Sequence, residues 1–255
     1  MDLKNSRIVL SGASSGIGKE LLLRLLDEGA YVCAVSRHIE TTIDFQHERL
    51  FLKNVDVSVY ENIDHLFAWA QKTLGHIDVF IANAGFTYYE ILDEANKDHI
   101  DAIMDTNTRS VIYSAVKMRE HYPDAPYRFM VTLSAVSYLS MPGYALYSAS
   151  KSALRGFFDA YELEFTRKDQ RLQRVYPVAT KTPFFKKADQ PRAPWPVQSP
   201  QKVAAAMIKG LKKGTRHIYP FKLFKWTYRP FPILYRPYIA IERRIFLNTM
   251  QSKDE

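Results

Sequence analysis

The run RIVLSGASSGIGKELLLRLL, residues 7–26, constrains the fold of this chain more than any other stretch. It opens on an apolar segment containing β-branched Ile8 and Val9, passes Gly12, Gly16 and Gly18, and continues into a leucine-rich segment with helical spacing. A short apolar run of that kind favours a strand. Glycine permits the tight turn and lets a ligand approach the backbone closely. The helix that follows begins with unpaired N–H groups and the positive end of its dipole, a seat suited to a pyrophosphate. Strand, glycine turn and helix in this order form the first half of a dinucleotide-binding βαβ unit. The candidate phosphate cradle is Gly12, Ser14, Ser15, Gly16, Ile17 and Gly18.

The rest of the chain keeps the same rhythm. Strand candidates are 7–11, 31–36, 50–57, 78–84, 128–134, 173–177 and 216–220. Helical spacing or good helix formers occupy 19–29, closed by Gly29, and then 60–74, 96–121, 147–167 and 200–213. Alternating strands and helices predict an α/β fold of about seven parallel strands with helices on both faces. A chain of 255 residues with 47% apolar composition suits one doubly wound, Rossmann-type domain over 1–255. Two segments depart from the alternation. Residues 183–200 hold five prolines directly after a strand, and read either as a substrate lid or as an ordinary surface loop. Residues 221–255 form an extension that interleaves aromatic and basic side chains.

Several classes fall away on composition. Cys33 is the only cysteine, so no disulfide forms within the chain, and no metal-ligand spacing appears. The N-terminus carries no leader pattern, and no window approaches 18 uninterrupted apolar residues, so a cytoplasmic protein is expected. The net charge of +8 suits anionic ligands, a lipid surface or nucleic acid. No zinc spacing, helix-turn-helix or RNP string supports nucleic acid.

Tyr147 and Lys151 stand one helical turn apart in GYALYSASKSALRGF. An ammonium beside a phenol favours the phenolate, which predicts a lowered pKa for Tyr147. Taken alone the pair is weak, but further motifs accompany it in order. SGASSGIG is followed by Asp56 and Val57 in NVDVS, by Asn83, Ala84 and Gly85, by Asn107 in MDTNTRS, and by TLSAVSYLSMPGYALYSASK. In the last string Ser134 precedes Tyr147 by thirteen residues. This ordered set resembles the classical short-chain dehydrogenase/reductase (SDR) family over residues 8 to about 182. Ser11 stands where the family has threonine, and Val178 replaces a family glycine after Pro177.

The resemblance implies hydride transfer between nicotinamide and a ketone or secondary alcohol. Tyr147 would exchange the proton, and Lys151 would tune it and bind the ribose. Ser134 would hold the substrate oxygen, and Asn107 a water. Asp56 and Val57 would contact the adenine; Thr182 would contact the carboxamide. At the end of the second strand Ser36 replaces the expected carboxylate and Arg37 follows, which favours NADP(H) over NAD(H). The resemblance also implies a homodimer or homotetramer, paired through the helix at 147–167. YSASKSALRGF and VYPVATKTP are similar to the branch that reduces long-chain 3-keto sphingoid bases. An apolar or lipid-like substrate fits Phe184, Phe185 and Trp195 in the candidate lid. For the extension three placements stay open: packing on the domain, packing on a second subunit, or peripheral contact with an anionic membrane. The alternative to an enzyme is a non-catalytic NADP-binding sensor or scaffold on the same fold.

Overall fold

A computed structural model describes residues 1–188, 193–228 and 232–251. The elements run β1 (Arg7–Ser11), α1 (Gly16–Asp27), β2 (Tyr31–Ser36), α2 (Ile39–Thr42), β3 (Leu50–Asn54), α3 (Tyr60–Leu74) and β4 (Val79–Ala82). Next come α4 (Lys97–Met104), a π-turn (Asp105–Arg109), α5 (Ser110–His121), β5 (Tyr127–Thr132), α6 (Ala145–Tyr161) and β6 (Gln170–Val175). The chain closes with α7 (Pro183–Lys187), α8 (Pro200–Lys213), β7 (His217–Ile218), α9 (Lys222–Tyr228) and α10 (Arg236–Gln251).

The strands form one parallel sheet in the order β3-β2-β1-β4-β5-β6-β7. Its two faces share out the apolar residues of each strand, because successive side chains point to opposite sides. Val9 and Phe80 join Phe67, Val111 and Phe158 on the α3–α5–α6 side. Ile8, Leu10 and Ile81 join Leu21, Leu22 and Met207 on the α1–α8 side. Burial on both faces explains why the strands read as continuous apolar runs. Arg7 ties the starts of β1 and β4 together, donating from its main-chain N, Nε and Nη2 to the Asp78 carboxylate at 2.8–2.9 Å.

The chain winds outward from β1 to β3 and then returns to place β4 on the other side of β1. That reversal opens a crevice at the C-terminal ends of β1 and β4, the ligand position in such sheets. Several expected boundaries shift there. The third strand stops at Asn54 and the fourth at Ala82, where the chain leaves the sheet to line the crevice. Helix α1 begins at Gly16, inside the glycine loop. The helix expected over 96–121 is interrupted at Asp105–Arg109 by the π-turn.

A third apolar cluster lies beyond the sheet. Phe224 and Phe246 of the extension pack with Tyr89, Leu139, Met141 and Tyr144. The extension therefore lies against the domain with one side of α9 and α10. Arg229, Phe231 and residues 189–192 and 252–255 lie outside the described residues. No helix among the described residues is long and apolar enough to cross a membrane.

Candidate functional site

One cavity of about 870 Å³ follows the crevice. Every candidate residue named from the sequence lines it except Asn107, which is fully buried behind Gly85.

The floor is the glycine loop folded over the end of β4. Gly12 has φ +68, and a Cβ there would lie 2.7 Å from Ala84 Cα. A Cβ on Gly18 would overlap the Gly12 carbonyl oxygen. Both positions thus exclude any side chain. Ser11 shows what its hydroxyl is for: Oγ accepts from the main-chain N of Asn83 (3.1 Å) and Ala84 (3.2 Å). A serine supplies that oxygen as well as a threonine would. Asn83 completes the joint, donating from Nδ2 to the Gly12 carbonyl at 3.2 Å and accepting from Thr132 Oγ1 at 3.1 Å. Ser15 caps α1 in extended backbone with no capping bond from its own side chain. The first turn of α1 thus faces the cavity with its N–H groups available to an anion. Thr182 covers this loop from the other side, with Cγ2 2.9 Å from where a Gly16 Cβ would stand. It also caps α7, its hydroxyl accepting from Phe184 N at 3.4 Å.

At the far end of the cavity the end of β2 supplies Ser36 and Arg37, and the segment after β3 supplies Asp56 and Val57. Asp56 is held in a local turn, accepting from Ser58 N at 3.0 Å and Ser58 Oγ at 2.7 Å. Arg37 is exposed on the rim. The Ser36 hydroxyl beside it is buried with no partner among the described residues. A glycine cradle closed to side chains, a free helix start and an orphaned hydroxyl at the distal end fit a dinucleotide. No group of three or more His, Cys, Asp or Glu side chains among the described residues is placed to hold a metal ion.

The other end carries the polar chemistry. Ser134 follows β5 in extended backbone, accepts from Val136 N at 3.2 Å and hydrogen-bonds the Tyr147 phenol. Ser137, its neighbour in sequence, is turned away and donates to the Ser134 carbonyl at 2.7 Å. Lys151 is buried and donates from Nζ to the Thr132 carbonyl at 2.9 Å. That nitrogen lies 5.7 Å from the centre of the Tyr147 ring. Burial pushes the Tyr147 phenol up to about 12, with the Ser134 hydrogen bond pulling the other way. Burial also draws the Lys151 ammonium down to about 8. The expectation of a phenol lowered by its lysine is therefore corrected: desolvation dominates both groups.

Asn107 sits in the π-turn, a common marker of a functional kink. Its carboxamide closes on the main chain of Phe86, accepting from N at 3.0 Å and donating to O at 2.8 Å, and it also donates to Ser150 Oγ at 3.2 Å. It thereby ties the 83–86 loop to α6, which carries Tyr147 and Lys151.

Around these groups the wall is aromatic. Phe184 meets the Tyr147 ring edge-on at 5.5 Å, and Phe185, Pro194 and Trp195 of the candidate lid line the cavity with it. Phe221, Phe224, Tyr235 and Tyr238 of the extension complete that side. The motifs do not point to these four or to Tyr88, which also lines the cavity; Met141 and Tyr144 line it too, and stand inside the string that carries Ser134 and Tyr147 with no role of their own in it. Only the three-dimensional path of the chain brings them in.

The description "short chain dehydrogenase" belongs to a family model that matches residues 6–193. The chain is 27% identical over 240 residues to a 3-dehydrosphinganine reductase of Danio rerio, covering 84% of this chain and 70% of the relative. It is 26% identical over 235 residues to a 3-ketodihydrosphingosine reductase of Bos taurus, covering 83% and 70%. A short chain dehydrogenase/reductase from Burkholderia phymatum, solved in complex with NAD, superposes with a TM-score of 0.79 at 16% identity over 90% of this chain and 93% of its own. A short chain dehydrogenase from Burkholderia cenocepacia, solved with NADP, gives 0.78 at 20% identity over 92% and 98%. With a match that spans the glycine loop, strands β1 to β6 and the Ser134–Tyr147–Lys151 cluster, the chain belongs to the short-chain dehydrogenase family, oxidoreductases that use a nicotinamide cofactor on CH–OH and C=O carbons.

Proposed function

We propose that the protein reduces an apolar, lipid-like ketone with NADPH. The observation that carries this reading is one continuous cavity, with a polar proton-donating cluster at the junction of a glycine cradle and an aromatic chamber.

Nicotinamide, when bound, supplies the hydride. Tyr147 donates its proton to the carbonyl oxygen. A phenol held at about 12 keeps that proton at neutral pH, which suits the reductive direction. Ser134 donates a hydrogen bond to the same oxygen and offsets the charge that develops on it. The tyrosinate left behind is a stronger base than neutral lysine, so Lys151, at about 8, is the acid able to restore it. Asn107 holds the loop and α6 in register and takes the family role of positioning a water towards Lys151. The aromatic chamber excludes bulk water and accepts a hydrocarbon substituent.

The NADP(H) preference rests on Arg37 at the rim, on the unpartnered Ser36 hydroxyl, and on the lack of a carboxylate at that strand end. The lipid-like ketone is supported by the aromatic wall and by two relatives named as reductases of 3-dehydrosphinganine and 3-ketodihydrosphingosine. A homo-oligomer fits the exposed small-residue face of α6, with Ala149, Ala153, Gly156 and Ala160.

The decisive experiment titrates the protein with NADPH and NADH, followed by nicotinamide fluorescence. NADPH is expected to bind at least about tenfold tighter, and Arg37→Glu to erase the difference. Equal affinities in the unmodified chain would overturn the preference. Tyr147→Phe is expected to keep NADPH binding and to lose ketone turnover by about a thousandfold. Unchanged turnover would leave a cofactor-binding scaffold as the reading.

A further inference from the structure

The extension has two apolar sides, and the domain uses only one. Tyr235, just ahead of α10, and Tyr238, Ile239, Phe246 and Met250 along it turn inward at helical spacing. Phe246 is the anchor. It fits against Gly143, whose φ is +78 and whose hypothetical Cβ would lie 2.6 Å from the Tyr89 ring and 2.8 Å from Phe246 itself. The Tyr89 and Phe246 rings meet edge-on at 5.2 Å. Thr227 of α9 bonds Tyr235 through its hydroxyl, which ties the two helices into one module.

The opposite side is bare. Trp226 is 69% exposed, and Leu223, Ile233, Leu234 and Ile241 are each more than half exposed. Scattered apolar side chains are ordinary on a protein surface, but five large exposed ones within residues 223–241 are a concentration that calls for a partner. They are interleaved with exposed Lys222, Lys225, Arg236, Arg243 and Arg244. Over residues 221–251 the sequence has six basic residues and a single acid, Glu242. Glu242 is partly covered and acts on the Tyr144 phenol of the domain side. The outer face is therefore apolar and positive without a balancing acid.

That combination selects its occupant. A second copy of this chain carries a net charge of +8, and would set the same cations against each other. A zwitterionic surface offers no net countercharge. An anionic bilayer offers phosphates for the cations and an interfacial layer for tryptophan and leucine. We propose that the outer face of the α9–α10 module docks on an anionic lipid bilayer. The residues that bear this face, Leu223 and Trp226, flank Phe224, which lines the cavity. Docking thus brings the chamber mouth to the membrane, where an amphiphilic ketone can enter without crossing water. The docking rests on the outer face alone; the delivery rests on the lipid-like-ketone reading above.

The test is flotation of the full chain with vesicles of phosphatidylcholine alone and of phosphatidylcholine mixed with phosphatidylglycerol. The double variant Leu223→Ser, Trp226→Ser keeps every charge and touches neither the cofactor cradle nor the proton-transfer residues. Thermal melting of each preparation reports folding. The expected result is flotation with the anionic vesicles only, reduced about tenfold in the double variant at unchanged melting temperature. Turnover of a short, water-soluble ketone is expected to be the same in both proteins. Absence of flotation would overturn the docking. Equal flotation of the variant would also overturn it, since net charge alone would then account for binding. Concentration-dependent self-association abolished by the two substitutions would assign the face to a second copy instead. Flotation as expected with no turnover of any ketone would leave the docking intact and remove the delivery and the substrate reading with it.

Discussion

At the scale of single residues, the site is governed by desolvation. Lys151 and Tyr147 are both pressed toward their neutral forms, one to about 8 and the other to about 12. For Lys151 the consequence for stability has a definite sign. The unfolded chain, with its lysine near 10.5, binds more protons than the folded chain between about pH 8 and 10.5. The cost of burying the ammonium is therefore fully present below about pH 8 and fades as pH rises. Lys151→Met removes that cost, so its stability relative to the unmodified chain is expected to be highest near about pH 7 and to fall by about 2 kcal/mol by about pH 10. Urea unfolding at the two pH values measures it; a difference independent of pH would mean that Lys151 is not desolvated. Tyr147 titrates in both proteins and cancels in the comparison.

At the scale of elements, strand cores were legible in the sequence and strand ends were not. Val9, Phe80 and Phe129 sit among apolar neighbours because their sheet is covered on both faces. Val55, Val57 and Ala84 prolong the apolar pattern past the strand ends at Asn54 and Ala82 but line the cavity instead, so the pattern overshoots there. The π-turn around Asn107 left no trace, because it differs from the flanking helix only in hydrogen-bond register. The glycine loop, Ser134, Tyr147 and Lys151 were readable because each depends on local spacing. The contribution of Tyr235 and Tyr238 was not, since it depends on where α10 lands. That landing makes its own prediction. Phe246→Ala empties the seat beside Gly143 and loosens the wall without touching the glycine loop. The ketone KM is expected to rise about tenfold, while NADPH affinity changes by less than about twofold. Steady-state kinetics with a parallel cofactor titration separates the two, and a matching loss in both would mean general unfolding.

At the scale of the whole molecule, the cavity is assembled from two territories of the chain. The dinucleotide end draws on the glycine loop, the end of β2, the segment after β3 and the 83–85 loop; the substrate end draws on the segments after β5 and β6 and on the extension. Ending the chain after residue 220 is expected to leave NADPH binding within about threefold and to abolish ketone turnover. Fluorescence titration and turnover on that shortened chain check it, and retained turnover would show that the aromatic wall is dispensable.

The seat of Phe246 beside Gly143 also bears on how the protein is made. A ribosome delivers the chain from its N-terminus, and segments fold as they emerge. The glycine loop, Tyr147 and Thr182 all precede α10 in that order. A nascent chain can thus hold its nucleotide while its aromatic chamber still lacks the wall that α10 completes with Tyr238.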